Sequence, residues 1–548
     1  MQNIILKHAL ANAVQFGGKA NAGAVLGKVI AESPELKKDI VKLKKEIAEV
    51  VKEVNSWSLE KQQAELEKTG YVKPERVERV GLPPLPKAIK GKVIMRLAPY
   101  PSGPLHIGNA KPYILNDEYV KIYKGKLLLI IDDTIGSEKK LIVKDAYKLI
   151  PEGLRWLGIV FDKKIIYKSD RLKIYYKYAA EIIKKGKAYV CECAFDELRE
   201  KRAKKIECVH RKQSIEDNLK KWAQMLKGKY KTGQATLRIK TDMSHPNPAF
   251  RDRVLFRISD REHSRIGKKY KVWPLLEFSW AIDDHLLEIT HILRGKELMM
   301  ESEMEKTIWD IFGWSHPVLL HSGLMMIEGV KLSKSKAQQE VARGVYTGWD
   351  DPRTWSLQSL RKRGITPEAI RKFILAFGLT EHEVRVPIDN LYAENRKIID
   401  KIADRYFFVA EPVEITLNKL PARTAKAPMQ PGKRKYRKIP VSKKIFIEKQ
   451  DFVAYRNKEV RLMHLCNVLL DKKANVTGKK VKDIPKIHWV GAKNVKIKLI
   501  MPDGRKVEGL AEPEIKKVSQ NKAMQFERIG FVRLDKTKPE IICFFGHK

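Results

Sequence analysis

The chain is poor in cysteine and in long apolar runs. Its 548 residues hold five cysteines, too few for a disulfide framework to hold together a protein of this length. No apolar run approaches about 18 residues, so no spanning helix and no membrane partner is predicted. Lys7 and His8 break the apolar start too early for a signal peptide, and a cytoplasmic location is expected. Acidic residues are also scarce, with 66 Asp and Glu against 109 Lys and Arg and a net charge of +43. Such an excess favours a polyanionic partner, because each phosphate neutralised by Lys or Arg releases counterions. A lysine-rich or heat-adapted surface would carry the same imbalance. The length allows three or more domains, each with its own core, and no internal repeat of fixed period is present.

What is there begins with Arg96-Leu-Ala98-Pro99-Tyr-Pro-Ser102-Gly103-Pro-Leu-His106-Ile-Gly108-Asn109. Residues 92–98 read as a strand that ends in a Pro/Ser/Gly turn, and a helix is predicted over 106–124. A strand–turn–helix junction directs free backbone N–H groups and the positive end of the helix dipole at one spot, which suits an anion. His106 adds a donor for phosphate oxygens, and Gly108 leaves room for a flat base. Taken alone, His106 reads equally well as a capping or surface residue. Far downstream, Lys331-Leu-Ser333-Lys334-Ser335-Lys336 offers two positive charges, Lys331 and Lys334, for a triphosphate. Ser333 and Ser335 add hydroxyls or N-caps. In isolation this string is a surface loop open to phosphorylation.

Between these stretches the pattern alternates strand and helix. Residues 126–131 form a continuous apolar run, as in a buried parallel strand, and it stops at Asp132-Asp133-Thr134. A helical stretch through Trp156, a short strand at 165–167 and a helix over 170–185 follow. In such doubly wound folds ligands sit beyond the carboxyl ends of strands. Asp132 is thus placed to meet an ammonium group, with a turn or helix cap as its ordinary alternative. Downstream, a strand at 291–293 ending in Arg294-Gly295, a helix over 296–312, a strand at 318–321 and a hairpin at 325–327 are predicted.

Residues 187–270 interrupt this alternation. Cys191-Glu-Cys193 and Cys208-Val-His210 offer three thiolates and an imidazole, a ligand set for structural zinc, although Cys-x-Cys is tighter than the usual spacing. The alternative is two cysteines alternating on a strand and packing. Basic Arg199–Lys205 and Arg211-Lys212 nearby could face phosphate or simply solvent. The first 90 residues read as a helical module with Ser58 as an N-cap and a stiff Pro-rich linker at 81–86. Beyond Val409 short strands at regular spacing suggest β-barrels, at 413–417, 444–448, 459–463, 495–501, 506–510, 531–534 and 540–545. The basic stretch 422–444 reads as a loop, either contacting nucleic acid or solvated and disordered.

Pro-Ser-Gly-Pro-Leu-His-Ile-Gly, followed by Lys-Leu-Ser-Lys-Ser, resembles the two nucleotide signatures of class I aminoacyl-tRNA synthetases. Trp273-Pro274, Ala281-Ile-Asp-Asp-His-Leu286 and Glu288-Ile-Thr-His-Ile-Leu-Arg-Gly295 are similar to the archaeal type of glutamyl-tRNA synthetase, with the glutaminyl enzyme as the near relative. The resemblance implies a multidomain α/β and β protein, with a helical module at 1–90 and a Rossmann-like catalytic domain at 91–186 and 271–345. It further implies an acceptor-end-binding insertion at 187–270, a helical junction at 346–404 and anticodon-binding barrels at 405–548.

The implied reaction is ATP-dependent ligation of L-glutamate to tRNA(Glu) through an adenylate, with tRNA(Gln) as a second candidate acceptor. ATP would come with Mg²⁺, and zinc would be structural. His106, Lys331 and Lys334 would be catalytic. Ala98, Pro99, Ser102, Gly103, Gly108, Asn109, Ser333 and Ser335 would complete the ATP site, and Arg96, Asp132 and Arg294 would bind glutamate. The chain departs from the family at several points. Asn109 replaces a second histidine, Ile130-Ile131 an Arg-Phe pair, and Ile135-Gly136 a polar-Pro pair. Leu276 stands for a substrate-pocket tyrosine and brings Glu277 beside it, which removes a hydroxyl and sets a negative charge near an acidic substrate. A glutaminyl enzyme and a non-catalytic tRNA-binding paralogue are the alternative readings.

Overall fold

The computed structural model describes residues 2–71, 81–137, 140–330 and 334–548, leaving aside the side chains of 37, 38, 334 and 335. Two compact units result, Met1–Val80 and Gly81–Lys548. The first holds four helices, Gln2–Gln15, Ala22–Glu32, Ile40–Val54 and Leu59–Lys68. Ile5, Ala9, Val25, Leu43 and Ile47 close its core. Ser58 caps the last helix as expected, its Oγ accepting from Lys61 N–H at 3.3 Å. The third helix starts later than its charged periodicity suggests, because Pro34–Asp39 winds as a tighter 3₁₀ turn.

In the second unit the stretch after Gly81 packs onto the core. Tyr119 Oη donates to Pro83 O at 2.9 Å, Leu85 N–H donates to Tyr123 Oη at 2.9 Å, and Leu85 is buried. Three parallel strands come next, Ile94–Leu97, Lys126–Ile131 and Ile166–Tyr167, with the middle one paired on both sides. A second parallel pair, His291–Gly295 and Val318–Ser322, abuts the first strand, where Thr290 N–H donates to Ile94 O at 2.9 Å. The strands end on one side, so Arg96, Asp132 and Arg294 lie at neighbouring carboxyl ends, where ligands bind in open α/β sheets. The predicted hairpin at 325–327 is not formed. Met325–Glu328 instead pairs in parallel with Val384–Pro387, with apolar Met325 and Ile327 packed into the core that the parallel strands share and Met326 and Glu328 facing outward.

The interruption expected at 187–270 is built on a four-stranded antiparallel sheet of Ala188–Cys191, Thr236–Ile239, Val254–Ile258 and Val272–Pro274, whose last strand runs beyond the expected boundary because it pairs with Val254–Ile258. Helices Leu357–Lys362, Pro367–Leu375 and Ile388–Ile399 form the junction. The C-terminal region holds two seven-stranded, barrel-like sheets. The first is begun by Asp404–Tyr406 and Phe408–Ala410, and completed only by strands from Val495 onward. The second, from Pro412 to Gly491, lies between these pieces in sequence.

Residues 422–444, expected as a loop, instead contain an antiparallel ribbon, Thr424–Pro428 with Tyr436–Pro440. Arg437 is its anchor: buried, it donates to Glu512 at 2.9 and 3.0 Å and to Glu527 at 2.6 Å. Burial, partly offset by Arg437, pushes the Glu512 carboxyl up to about 7 from an ordinary 4.5. The folded state therefore holds a proton that the unfolded state has already released between those values. Stability from this group is complete below about 4.5 and is lost as pH rises through about 7. Urea unfolding at pH 5 and pH 8 should differ by a contribution on the order of 2–4 kcal/mol, and Glu512→Gln should flatten that slope.

Candidate active site

The first signature folds as its residues dictate. Extended backbone ends at Leu97, Pro99 and Pro101 prevent helix, and Gly103 takes φ +140° with the Trp349 ring against it. A Cβ at Gly103 would lie 2.8 Å from that ring, so only glycine fits the turn. His106 is the N-cap of helix Ile107–Tyr123, with extended backbone and no side-chain capping bond. At this helix start Ile107 N–H donates to Trp355 O at 3.4 Å and Asn109 N–H to His106 O at 2.9 Å, and the positive end of the helix dipole favours an anion.

The chain ends of the parallel strands enclose a cavity of about 160 Å³. Arg96 and Ala98 enter it from the first strand, Gly108, Asn109 and Lys111 from the helix, and Arg294 from the second parallel pair. Trp280 forms one wall, its ring 4.5 Å from the Arg96 guanidinium, 5.0 Å from that of Arg294 and 4.9 Å from Lys168 Nζ. One indole thus serves three cations, each contact adding cation–π attraction.

Each of these cations also has a carboxylate. Arg96 holds Asp284 through two parallel bonds, one of them 2.8 Å. Arg294 holds Glu305 the same way, at 2.8 and 2.7 Å, while its Nε and Nη2 donate to Ser302 Oγ. Lys168 Nζ lies 3.3 Å from Asp132 Oδ2. Burial would lower the basicity of Arg96, but Asp284 outweighs it and raises the guanidinium further. For Lys168 burial wins and lowers the ammonium. Burial raises the Asp283 and Glu305 carboxyls despite their cation partners. Lys111 is buried too, its Nζ donating to Gly323 O at 3.0 Å, and burial lowers its pKa.

The expected residues divide accordingly. Arg96, Ala98, Gly108, Asn109 and Arg294 share the cavity, whereas Pro99, Ser102, Gly103, His106 and Asp132 do not line it. Pro99 O instead accepts from Asp132 N–H at 3.1 Å, tying the turn to the end of the middle strand. Asp132, expected to await an ammonium group from outside, is engaged with Lys168 and with Thr134 Oγ1 at 3.0 Å. Lys331 and Ser333 lie outside the described residues, and Lys334 and Ser335 open the helix Lys334–Ala342. The strand Met325–Glu328, which precedes them in the chain, packs on helix Ile107–Tyr123.

Among the departures, Glu277 does not point its charge at the cavity. It is buried against Arg253, which also holds Glu301 at 2.8 Å. Trp280, Lys168, Asp284 and Glu305 were not legible as site residues, because each matters only through a partner distant in sequence. The four predicted metal ligands do converge. Cys208 Sγ lies 3.6 Å from Cys191 Sγ, 3.2 Å from Cys193 Sγ and 3.1 Å from His210 Nδ1. All four ligand atoms lie within 4.8 Å of one another, and the three thiols are free.

A model described as the catalytic domain of class I tRNA synthetases (E and Q) matches residues 92–401. Two models of the anticodon-binding domain of the same group match 403–488 and 486–535. Over the whole of both chains the sequence is 44% identical to the glutamate–tRNA ligase of Pyrococcus abyssi (strain GE5 / Orsay) and 44% identical to that of Pyrococcus furiosus. It is 41% identical, again over the whole of both, to the glutamate–tRNA ligase of Archaeoglobus fulgidus.

Proposed function

The chain belongs to the class I tRNA synthetases of the E and Q group, and we propose that it joins L-glutamate to tRNA(Glu) through a glutamyl-adenylate. The observation that carries this reading is the shared cavity, in which the start of the first-signature helix meets Arg96 and Arg294 from neighbouring strand ends. Enzymes of this family use ATP with Mg²⁺. The nucleophile is the substrate's own α-carboxylate, so the chain's task is positioning and charge stabilisation at the α-phosphorus. His106 and the positive end of the helix dipole receive phosphate oxygens, and Lys331 and Lys334 bring positive charge. Gly108 gives the base its place, with Ala98, Pro99, Ser102, Gly103, Asn109, Ser333 and Ser335 around the nucleotide. Arg96 and Arg294 meet the carboxylates of the amino acid.

The domains divide the tRNA. The sheet within 187–270 holds the acceptor end, the barrels within 405–548 read the anticodon, and the helices of 346–404 join them. The work takes place in the cytoplasm, and among the described residues no helix is long and apolar enough to cross a membrane. Pyrophosphate exchange with glutamate and with glutamine, each with and without tRNA, tests the reading. Exchange with glutamate supports it, and exchange with glutamine alone or with neither defeats it. Charging of purified tRNA(Glu) and tRNA(Gln) then decides the acceptor.

Zinc fits the Cys191, Cys193, Cys208 and His210 set, because the separations match the edges of a tetrahedron with metal–ligand bonds of about 2.0–2.3 Å. Its part there is structural, fixing Cys208–Lys212 on the edge of the inserted sheet. Elemental analysis should find one zinc per chain, and Cys208→Ser should lose it and loosen the insertion to proteolysis. A metal-free protein with an intact insertion would exclude the site.

A further inference from the structure

Glu305 is a glutamate side chain bound by an arginine proposed to receive the substrate glutamate. Its two oxygens take Nη1 and Nη2 of Arg294 at 2.8 and 2.7 Å, the fork-to-fork geometry that gives carboxylates their tightest grip on arginine. Arg294 lines the cavity, and Glu305 is fully buried behind it on the helix Met299–Phe312. The rest of the guanidinium is held by Ser302 Oγ, which also lies 2.8 Å from His321 Nε2. Arg96 is likewise neutralised by Asp284. The cavity thus presents arginines that are shaped for a carboxylate but already neutralised.

Resting on the reading of Arg294 as a substrate contact, we propose that Glu305 is a specificity-determining residue that stands in for a substrate carboxylate on Arg294 and must yield to it when the amino acid binds. A carboxylate arriving at a neutralised guanidinium would otherwise place two negative charges on one cation in a buried site. The conflict is relieved by one proton: the substrate carboxylate takes the Arg294 fork, and Glu305 accepts H⁺ from solvent and gives up the fork as a neutral acid. The groups facing Glu305 set this balance. Arg294 and Arg96 favour its charge, Asp284 opposes it, and burial already raises its pKa with Arg294 present. Losing Arg294 to the substrate raises it further, so binding takes up a proton and tightens as pH falls toward the free-state value. His321, across Ser302, is held toward the neutral form by burial and by Arg294, so it adds no competing cation.

The test is amino-acid-dependent pyrophosphate exchange with ATP and tRNA present, on the wild type and on Glu305→Gln. The amide keeps the shape and one acceptor but drops the charge. KM for glutamate should fall severalfold with kcat little changed, and its pH dependence should flatten. A KM that is unchanged or raised would overturn the proposal, since a merely structural ion pair can only lose affinity when broken. If Glu305→Gln does not fold, calorimetry of glutamate binding to the wild-type enzyme–tRNA complex, in two buffers of different ionisation enthalpy, decides. Uptake of up to one proton per site supports the proposal, and none overturns it. Absence of glutamate exchange in the wild type would instead defeat the proposed function itself, so the two failures are separable.

Discussion

His106→Ala should slow glutamyl-adenylate formation by about 10²–10³-fold while leaving the thermal unfolding midpoint nearly unchanged. The helix start is held by backbone bonds, Ile107 N–H to Trp355 O and Asn109 N–H to His106 O, which survive when the imidazole goes. The helix dipole remains as well, so ATP should still bind. What disappears is a donor aimed at charge that grows only as the α-phosphorus is attacked. Single-turnover adenylate formation with tRNA present should therefore show the loss in the chemical step rather than in the KM for ATP. An equal loss in KM, with the step itself intact, would remove His106 from the catalytic set.

Arg96→Met is expected to be costly twice over. Asp284, wholly buried and held through both oxygens, would be left as an uncompensated charge, at about 3–5 kcal/mol of stability. Activation of glutamate should also fall, because a fixed guanidinium at the cavity is gone. Pairing the change with Asp284→Leu separates the two effects. Removing both charges and keeping the volume apolar should restore most of the lost stability, as denaturant titration would read it. Glutamate activation should remain lost in the double variant. If activity returned along with stability, Arg96 would be a structural residue only.

Several elements were plain in the chain. The apolar run 126–131 and the strand over Lys444–Glu448 matched their expected ends, and Ser58 caps the helix it was assigned to. These depend on local rules, namely periodicity and a side chain reaching three residues along. The ribbon within 422–444 was hidden because its composition is that of a solvated loop. One residue, Arg437, turns inward only because Glu512 and Glu527 wait there from a distant part of the chain. The same holds for Met325–Glu328, whose partner strand Val384–Pro387 arrives after the whole second signature.

By itself the sequence determined most of the strand and helix order between residues 92 and 312, the turn and helix of the first signature, and the four side chains able to hold zinc. Each of these follows from residues near one another or from ligand types that chemistry pairs by kind. Only the tertiary structure decided how the arginines are used. It closes the Arg96 and Arg294 forks on Asp284 and Glu305, turns Glu277 toward Arg253, and lays the Trp280 ring against three cations. A buried charge must find its counter-charge wherever the fold brings one within reach. That partner is fixed by the packing of strands and helices, which no stretch of sequence contains.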